Sequence, residues 1–164
     1  MSLEIVYGDI CETDCDVLVN ASNGIGYMGG KAGIRKRLPG VAESIHYLTA
    51  GQVEAEAKAV TRSISPLGVA PGNVFVTAAP GLKCRHIIHA VTMRLPGTLS
   101  RMSTVVELLP RILQQARQLG ASTIAIPLLG TGTGHLSQEK VLELYHSAFD
   151  QVEDLRILVY LYRK

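Results

Sequence analysis

Asp16-Val17-Leu18-Val19-Asn20-Ala21-Ser22-Asn23-Gly24-Ile25-Gly26-Tyr27-Met28-Gly29-Gly30 decides the fold. Val17-Leu18-Val19 is an apolar run of the kind buried in a strand. It halts at a segment that holds two asparagines and then four glycines. Lys31 to Leu38 reads as a short helix behind the loop. A strand end, a glycine loop and a helix start together make an anion site, because backbone N–H groups point outward and the helix dipole favours negative charge. Glycine has no Cβ to keep a ligand off the backbone. Asn20 and Asn23 add side-chain donors and acceptors suited to hydroxyls. The stretch therefore implies a sugar-phosphate ligand.

A second junction of the same kind lies far along the chain. Thr123-Ile124-Ala125-Ile126-Pro127 reads as a buried strand, and it runs into Leu128-Leu129-Gly130-Thr131-Gly132-Thr133-Gly134-His135-Leu136-Ser137. A helix from Gln138 to Phe149 follows. Between the junctions, Val41 to Arg62 reads as helix, break at Gly51, helix. Asn73 to Ala78 and Arg85 to Val91 read as strands. Ser100 to Leu119 carries a helical apolar stripe, with a bend or late start expected at Pro110. Leu3 to Tyr7 opens the chain as a strand and Leu155 to Leu161 closes it. The alternation argues an α/β fold with helices on both faces of a mostly parallel sheet. Ligands of such sheets bind beyond the carboxyl ends of the strands. The two glycine loops are thus expected to face each other as walls of one cleft.

Composition narrows the function classes. The 164 residues are sized for a single domain over 1–164, and hydrophobic residues at 47% against charged residues at 18% argue against disorder. Net charge is +2, and aromatic residues make up 5% with no Trp, which gives a base-stacking nucleic-acid surface little support. Cys11, Cys15 and Cys84 are too few for a disulfide framework and read as small buried side chains. His86 and His89 are three apart on a strand, so they face opposite sides and do not share a metal. No apolar run approaches the ~20 residues that span a membrane. Met1-Ser2-Leu3-Glu4-Ile5 has neither a charged n-region nor a long apolar h-region, and with the few cysteines a reducing, cytoplasmic setting is expected; no metal and no cofactor are expected either.

Gly24-Ile25-Gly26-Tyr27-Met28-Gly29 matches G-x-G-x-x-G. The dinucleotide fingerprint also wants a strand ending in an acid about 20 residues on, and Ser44-Ile45-His46-Tyr47-Leu48 is helical in pattern. The second loop lacks the Gly-Lys-Ser/Thr ending of a P-loop. Taken together, Gly8-Asp9-Ile10, Val19-Asn20-Ala21-Ser22-Asn23, Gly29-Gly30, Ile87-Ile88-His89-Ala90-Val91 and Pro127 to Gly134 resemble the macro domain family, in order and spacing, over nearly the whole chain. The resemblance implies a three-layer α/β/α sandwich with a mixed, mostly parallel six-stranded central sheet. It also implies a cleft for ADP-ribose or an ADP-ribosylated protein.

By that resemblance Asp9 would accept from the adenine amino group and Ile10 would donate its backbone N–H. Asn23 would hydrogen-bond the distal ribose, with Asn20 beside it. Gly29, Gly30, Lys31, Ala32, Gly33 and Ile34 on one side would cradle the diphosphate. Gly130, Thr131, Gly132, Thr133, Gly134 and His135 would do so on the other. Macro-D-type hydrolases carry Gly-Gly-Val-Asp-Gly where this chain has Gly29-Gly30-Lys31-Ala32-Gly33, so Ala32 stands in place of the aspartate. Asn23 and His135 are candidates for chemistry, since histidine exchanges protons near neutral pH, and Lys31 is another, to pair with phosphate or act as a nucleophile toward the anomeric carbon. Three readings stay open: hydrolysis of an ADP-ribosyl linkage or of O-acetyl-ADP-ribose, a reader that binds without reaction, and a sensor of a related nucleotide or a protein-interaction domain whose cleft has drifted.

Overall fold

The computed structural model describes residues 3–161; Met1 and Ser2, part of the N-terminal reading above, lie outside them. Six strands form one sheet: β1 Leu3–Tyr7, β2 Val17–Asn23, β3 Val74–Ala78, β4 His86–Met93, β5 Thr123–Pro127 and β6 Arg156–Leu161. Their order is β1-β6-β5-β2-β4-β3, and only β3 runs antiparallel, against β4. Five α-helices connect them: α1 Gly30–Arg35, α2 Val41–Leu48, α3 Gln52–Ile64, α4 Met102–Gln118 and α5 Gln138–Phe149. A one-turn 3-10 helix, Ile10–Glu12, follows β1.

The strand alternation of two faces sorts the core. Val17, Val19, Ile88, Ala90, Ile124, Ile126, Ile157 and Val159 pack with Val105, Leu108, Leu109 and Ile112 of α4 and Val141, Tyr145 and Phe149 of α5. On the opposite face Leu18, Ile87 and Ala125 meet Ile45 of α2 and Val53 of α3, while Phe75 and Val91 meet Ala57 of α3. The result is the expected α/β/α sandwich with a mixed, mostly parallel sheet. All three cysteines are buried on the α2–α3 side and carry free thiols.

Two elements differ from the sequence expectation. The strand does not end with the apolar run at Val19. β2 continues to Asn23, with Asn20 paired to His89 and Ser22 to Val91 in parallel register. Polar residues usually read as turn formers are held in the ladder by the buried neighbour β4. Pro110, expected to bend or delay its helix, sits inside an unbroken α4. Pro110 is on the exposed side of that helix, so the carbonyl it leaves unbonded faces water.

Candidate functional site

Five of the six strands are parallel, so their carboxyl ends share one edge of the sheet. The turn after β1, both glycine loops and the segment after β4 all leave from that edge. β2 and β5 are direct neighbours, with Val17 opposite Ile124 and Leu18 opposite Ala125. The connection after β4 touches both loops: the Gly24 amide donates to the Arg94 carbonyl (2.9 Å), and the Ser100 amide donates to the Gly134 carbonyl (3.2 Å). The facing loops expected from the sequence are therefore joined across one edge.

The first loop is shaped by Asn23. Its Oδ1 accepts from the Ile25 amide (3.2 Å) and the Tyr27 amide (3.1 Å), and its Nδ2 donates to the Tyr27 carbonyl (2.8 Å). Side-chain closure of a loop by asparagine is ordinary turn chemistry, and it leaves one Nδ2 hydrogen for anything else. Asn20 is elsewhere. It is fully buried within the sheet, with Nδ2 3.2 Å from His89 Nδ1, so it offers no surface to the cleft. The cause is the extension of β2 past Val19, which places Asn20 in the ladder rather than in the loop.

Gly29 (φ +140°) and Gly30 (φ +59°) turn the chain into α1. The Met28 and Gly30 amides both point inward to the Glu54 carboxylate, and the Gly33 amide closes on the Gly29 carbonyl. The amides of Lys31 and Ala32 have no partner among the described residues. Both residues are exposed, as is Ile34. The cradle on this side thus consists of fewer amides than the sequence suggested. Glu54 and His46, which hold the loop from beneath, were not singled out in the sequence. They sit 24 and 16 residues beyond Gly30 on other helices, and no local motif connects them to it.

The second loop is pinned at its root by Tyr145, whose hydroxyl donates to the Pro127 carbonyl (2.6 Å) and accepts from the Leu129 amide (2.9 Å). Burial pushes this phenol well above its ordinary pKa, so it stays a donor. Gly130 turns at φ +78°, and Thr131 Oγ1 and its amide both donate to the Leu128 carbonyl. The amides of Gly132, Thr133 and Gly134 have no partner among the described residues. Gly134 packs so closely on the segment after β4 that a Cβ there would stand 2.4 Å from Ser100 Oγ and 2.6 Å from the Gly130 carbonyl oxygen. His135 is exposed and holds φ +59°, a left-handed conformation uncommon for a side chain of its size.

Asp9 follows β1 and caps the 3-10 helix by accepting from the Cys11 amide (2.9 Å). Its other oxygen pairs with Arg37, whose Nε also donates to Ser44 Oγ (3.2 Å). Burial raises the Asp9 pKa, but Arg37 and the Cys11 amide outweigh it and the carboxyl lies below its usual value. Ile10, buried beside it, makes no amide hydrogen bond among the described residues. Among the described residues no cluster of His, Cys, Asp or Glu is arranged to hold a metal, and no helix is long and apolar enough to cross a membrane.

A family model described as "Macro domain" matches residues 19–145. An uncharacterised protein of Aquifex aeolicus is 36% identical over 139 residues, 85% of this chain and 75% of its own length. A macro domain-containing protein of Streptomyces nogalater is 32% identical over 131 residues, covering 80% and 67%. Among solved structures, the macrodomain of Mycobacterium tuberculosis DarG superposes with a TM-score of 0.79 at 26% identity, covering 96% of this chain and 97% of the other.

Proposed function

This chain belongs to the macro domain family, a fold that binds ADP-ribose, and from that premise we propose that its cleft takes ADP-ribose, free or attached to a protein. The observation that carries the reading is the pair of glycine loops tied across one sheet edge, each with amides that have no partner among the described residues: Lys31 and Ala32 on one side, Gly132 to Gly134 on the other. Backbone amides in that arrangement suit a diphosphate, which carries negative charge on oxygens that only accept. The adenine would lie at the end of β1, against Asp9 and the Ile10 amide. The distal ribose would lie near Asn23, whose remaining amide hydrogen suits a hydroxyl. The setting proposed is cytoplasmic.

Chemistry at the distal ribose is a second reading, and His135 is the residue that favours it. An exposed imidazole on the rim of the second loop, held in a strained left-handed conformation, fits a proton-transfer role. Ala32 favours the plain reader, because no carboxylate stands at that position to activate water.

Calorimetry with ADP-ribose tests the first reading: saturable binding is expected, and no heat of binding at any accessible concentration rejects it. Turnover of mono-ADP-ribosylated protein and of O-acetyl-ADP-ribose tests the second. Loss of turnover in His135→Ala with affinity retained is the expected signature of catalysis, and equal turnover removes His135 from the chemistry.

A further inference from the structure

The first glycine loop is gripped from beneath by two buried side chains of neighbouring helices. Glu54 of α3 is 6% exposed and His46 of α2 is 1% exposed. Glu54 Oε2 accepts from the Met28 amide at 2.6 Å and from the Gly30 amide at 3.1 Å, and Oε1 accepts from Lys58 Nζ at 3.0 Å. His46 Nε2 donates to the Gly30 carbonyl at 2.7 Å, and its Nδ1 lies 3.9 Å from Glu54 Oε2. The imidazole also forms the floor of the turn. A Cβ at Gly33 would stand 2.8 Å from the ring and one at Gly29 3.1 Å from it.

A buried carboxylate is costly unless donors surround it. Burial raises the Glu54 pKa, but the Gly30 and Met28 amides and Lys58 reverse that, and the net shift is downward. An amide or apolar side chain would fill the same space without a charge. What the charge adds is a strong acceptor that fixes which loop amides point inward. With the Met28 and Gly30 amides bonded to Glu54 and the Gly30 carbonyl held by His46, the next two amides, Lys31 and Ala32, have no partner among the described residues and belong to exposed residues.

We propose that Glu54 and His46 are positioning residues for the diphosphate: Glu54 holds the Met28 and Gly30 amides and His46 holds the Gly30 carbonyl, so that the Lys31 and Ala32 amides are fixed before a ligand arrives. Preorganisation of this kind raises affinity by removing the cost of ordering the loop on binding. The proposal rests on the ADP-ribose reading of the cleft.

The test uses the full chain, amide hydrogen exchange by NMR and calorimetry with ADP-ribose. In the unmodified protein without ligand, the Met28 and Gly30 amides should exchange at least ~10-fold more slowly than those of Lys31 and Ala32. Adding ADP-ribose should protect Lys31 and Ala32 and leave Met28 and Gly30 unchanged. The reverse pattern overturns the proposal without any substitution. In Glu54→Gln, exchange at Met28 and Gly30 should speed up while the amides of β4 stay protected, and the ADP-ribose dissociation constant should rise ~10-fold or more. An unchanged constant overturns the positioning role, as does a loss of affinity that appears only with lost protection in β4. Failure of the unmodified protein to bind ADP-ribose strikes the functional reading itself, a different result from normal binding with an indifferent Glu54→Gln.

Discussion

Asp9 illustrates how one carboxylate serves two ends. It caps the 3-10 helix through the Cys11 amide and pairs with Arg37, yet each carboxylate oxygen has a second lone pair for an incoming donor. Asp9→Ala should weaken ADP-ribose binding by about 1.5–3 kcal/mol, the range for a hydrogen bond to a charged group. Unchanged affinity in calorimetry would refute the adenine assignment. Tyr145→Phe makes a complementary prediction. It strands the buried Leu129 amide and Pro127 carbonyl, so it should cost about 1–3 kcal/mol in urea unfolding and loosen the second loop. A loss below a few tenths would show that water replaces the hydroxyl. At this scale residue type alone singles out Asp9 and the glycines as candidates, because a carboxylate past a strand end and paired glycines carry their chemistry locally. It did not reveal Glu54, Tyr145 or His46. Each acts on a loop that is distant in sequence, and only the packed fold brings them together.

Elements were legible where their periodicity was strong. The break at Gly51 separates α2 from α3 as the pattern indicates, and Gly51 takes φ +80° there. α5 is capped by Ser137, whose hydroxyl accepts from the Lys140 amide. The end of β2 was misread because Asn20, Ser22 and Asn23 are turn-forming types. Tertiary pairing with β4 overrides that preference. The second loop offers a test of fit between elements. Gly134→Ala would drive a methyl into Ser100 and the Gly130 carbonyl, so the loop or the segment after β4 must shift. A lower melting temperature together with weaker ADP-ribose binding is expected, since the same shift disturbs the outward amides. A crystal structure of the variant with the loop unmoved would contradict this.

For the whole molecule, the interior of the sheet carries a polar chain expected to make stability fall in acid. His89 is fully buried, stacks on Phe75 at 4.6 Å between ring centroids, lies 2.9 Å from Thr77 Oγ1 through Nε2 and meets Asn20 through Nδ1. Burial pushes its pKa down to about 3. The unfolded chain therefore binds a proton near pH ~6.5 that the native state refuses until about pH 3. Stability from this group is complete above pH ~6.5 and falls as the pH drops toward 3, by about 2 kcal/mol on reaching pH 5. Urea midpoints at pH 7 and 5, compared with those of His89→Gln, measure it. An identical pH slope in the two proteins would place the acid sensitivity elsewhere.

The short connection from Arg94 to Ser100 is fastened at one end to Gly24 and at the other to Gly134. It is a tether between two jaws whose roots the sheet already spaces. One hydrogen bond at each end couples the two loops through it, so lengthening it by even one residue should let them move more independently without altering any atom that meets a guest.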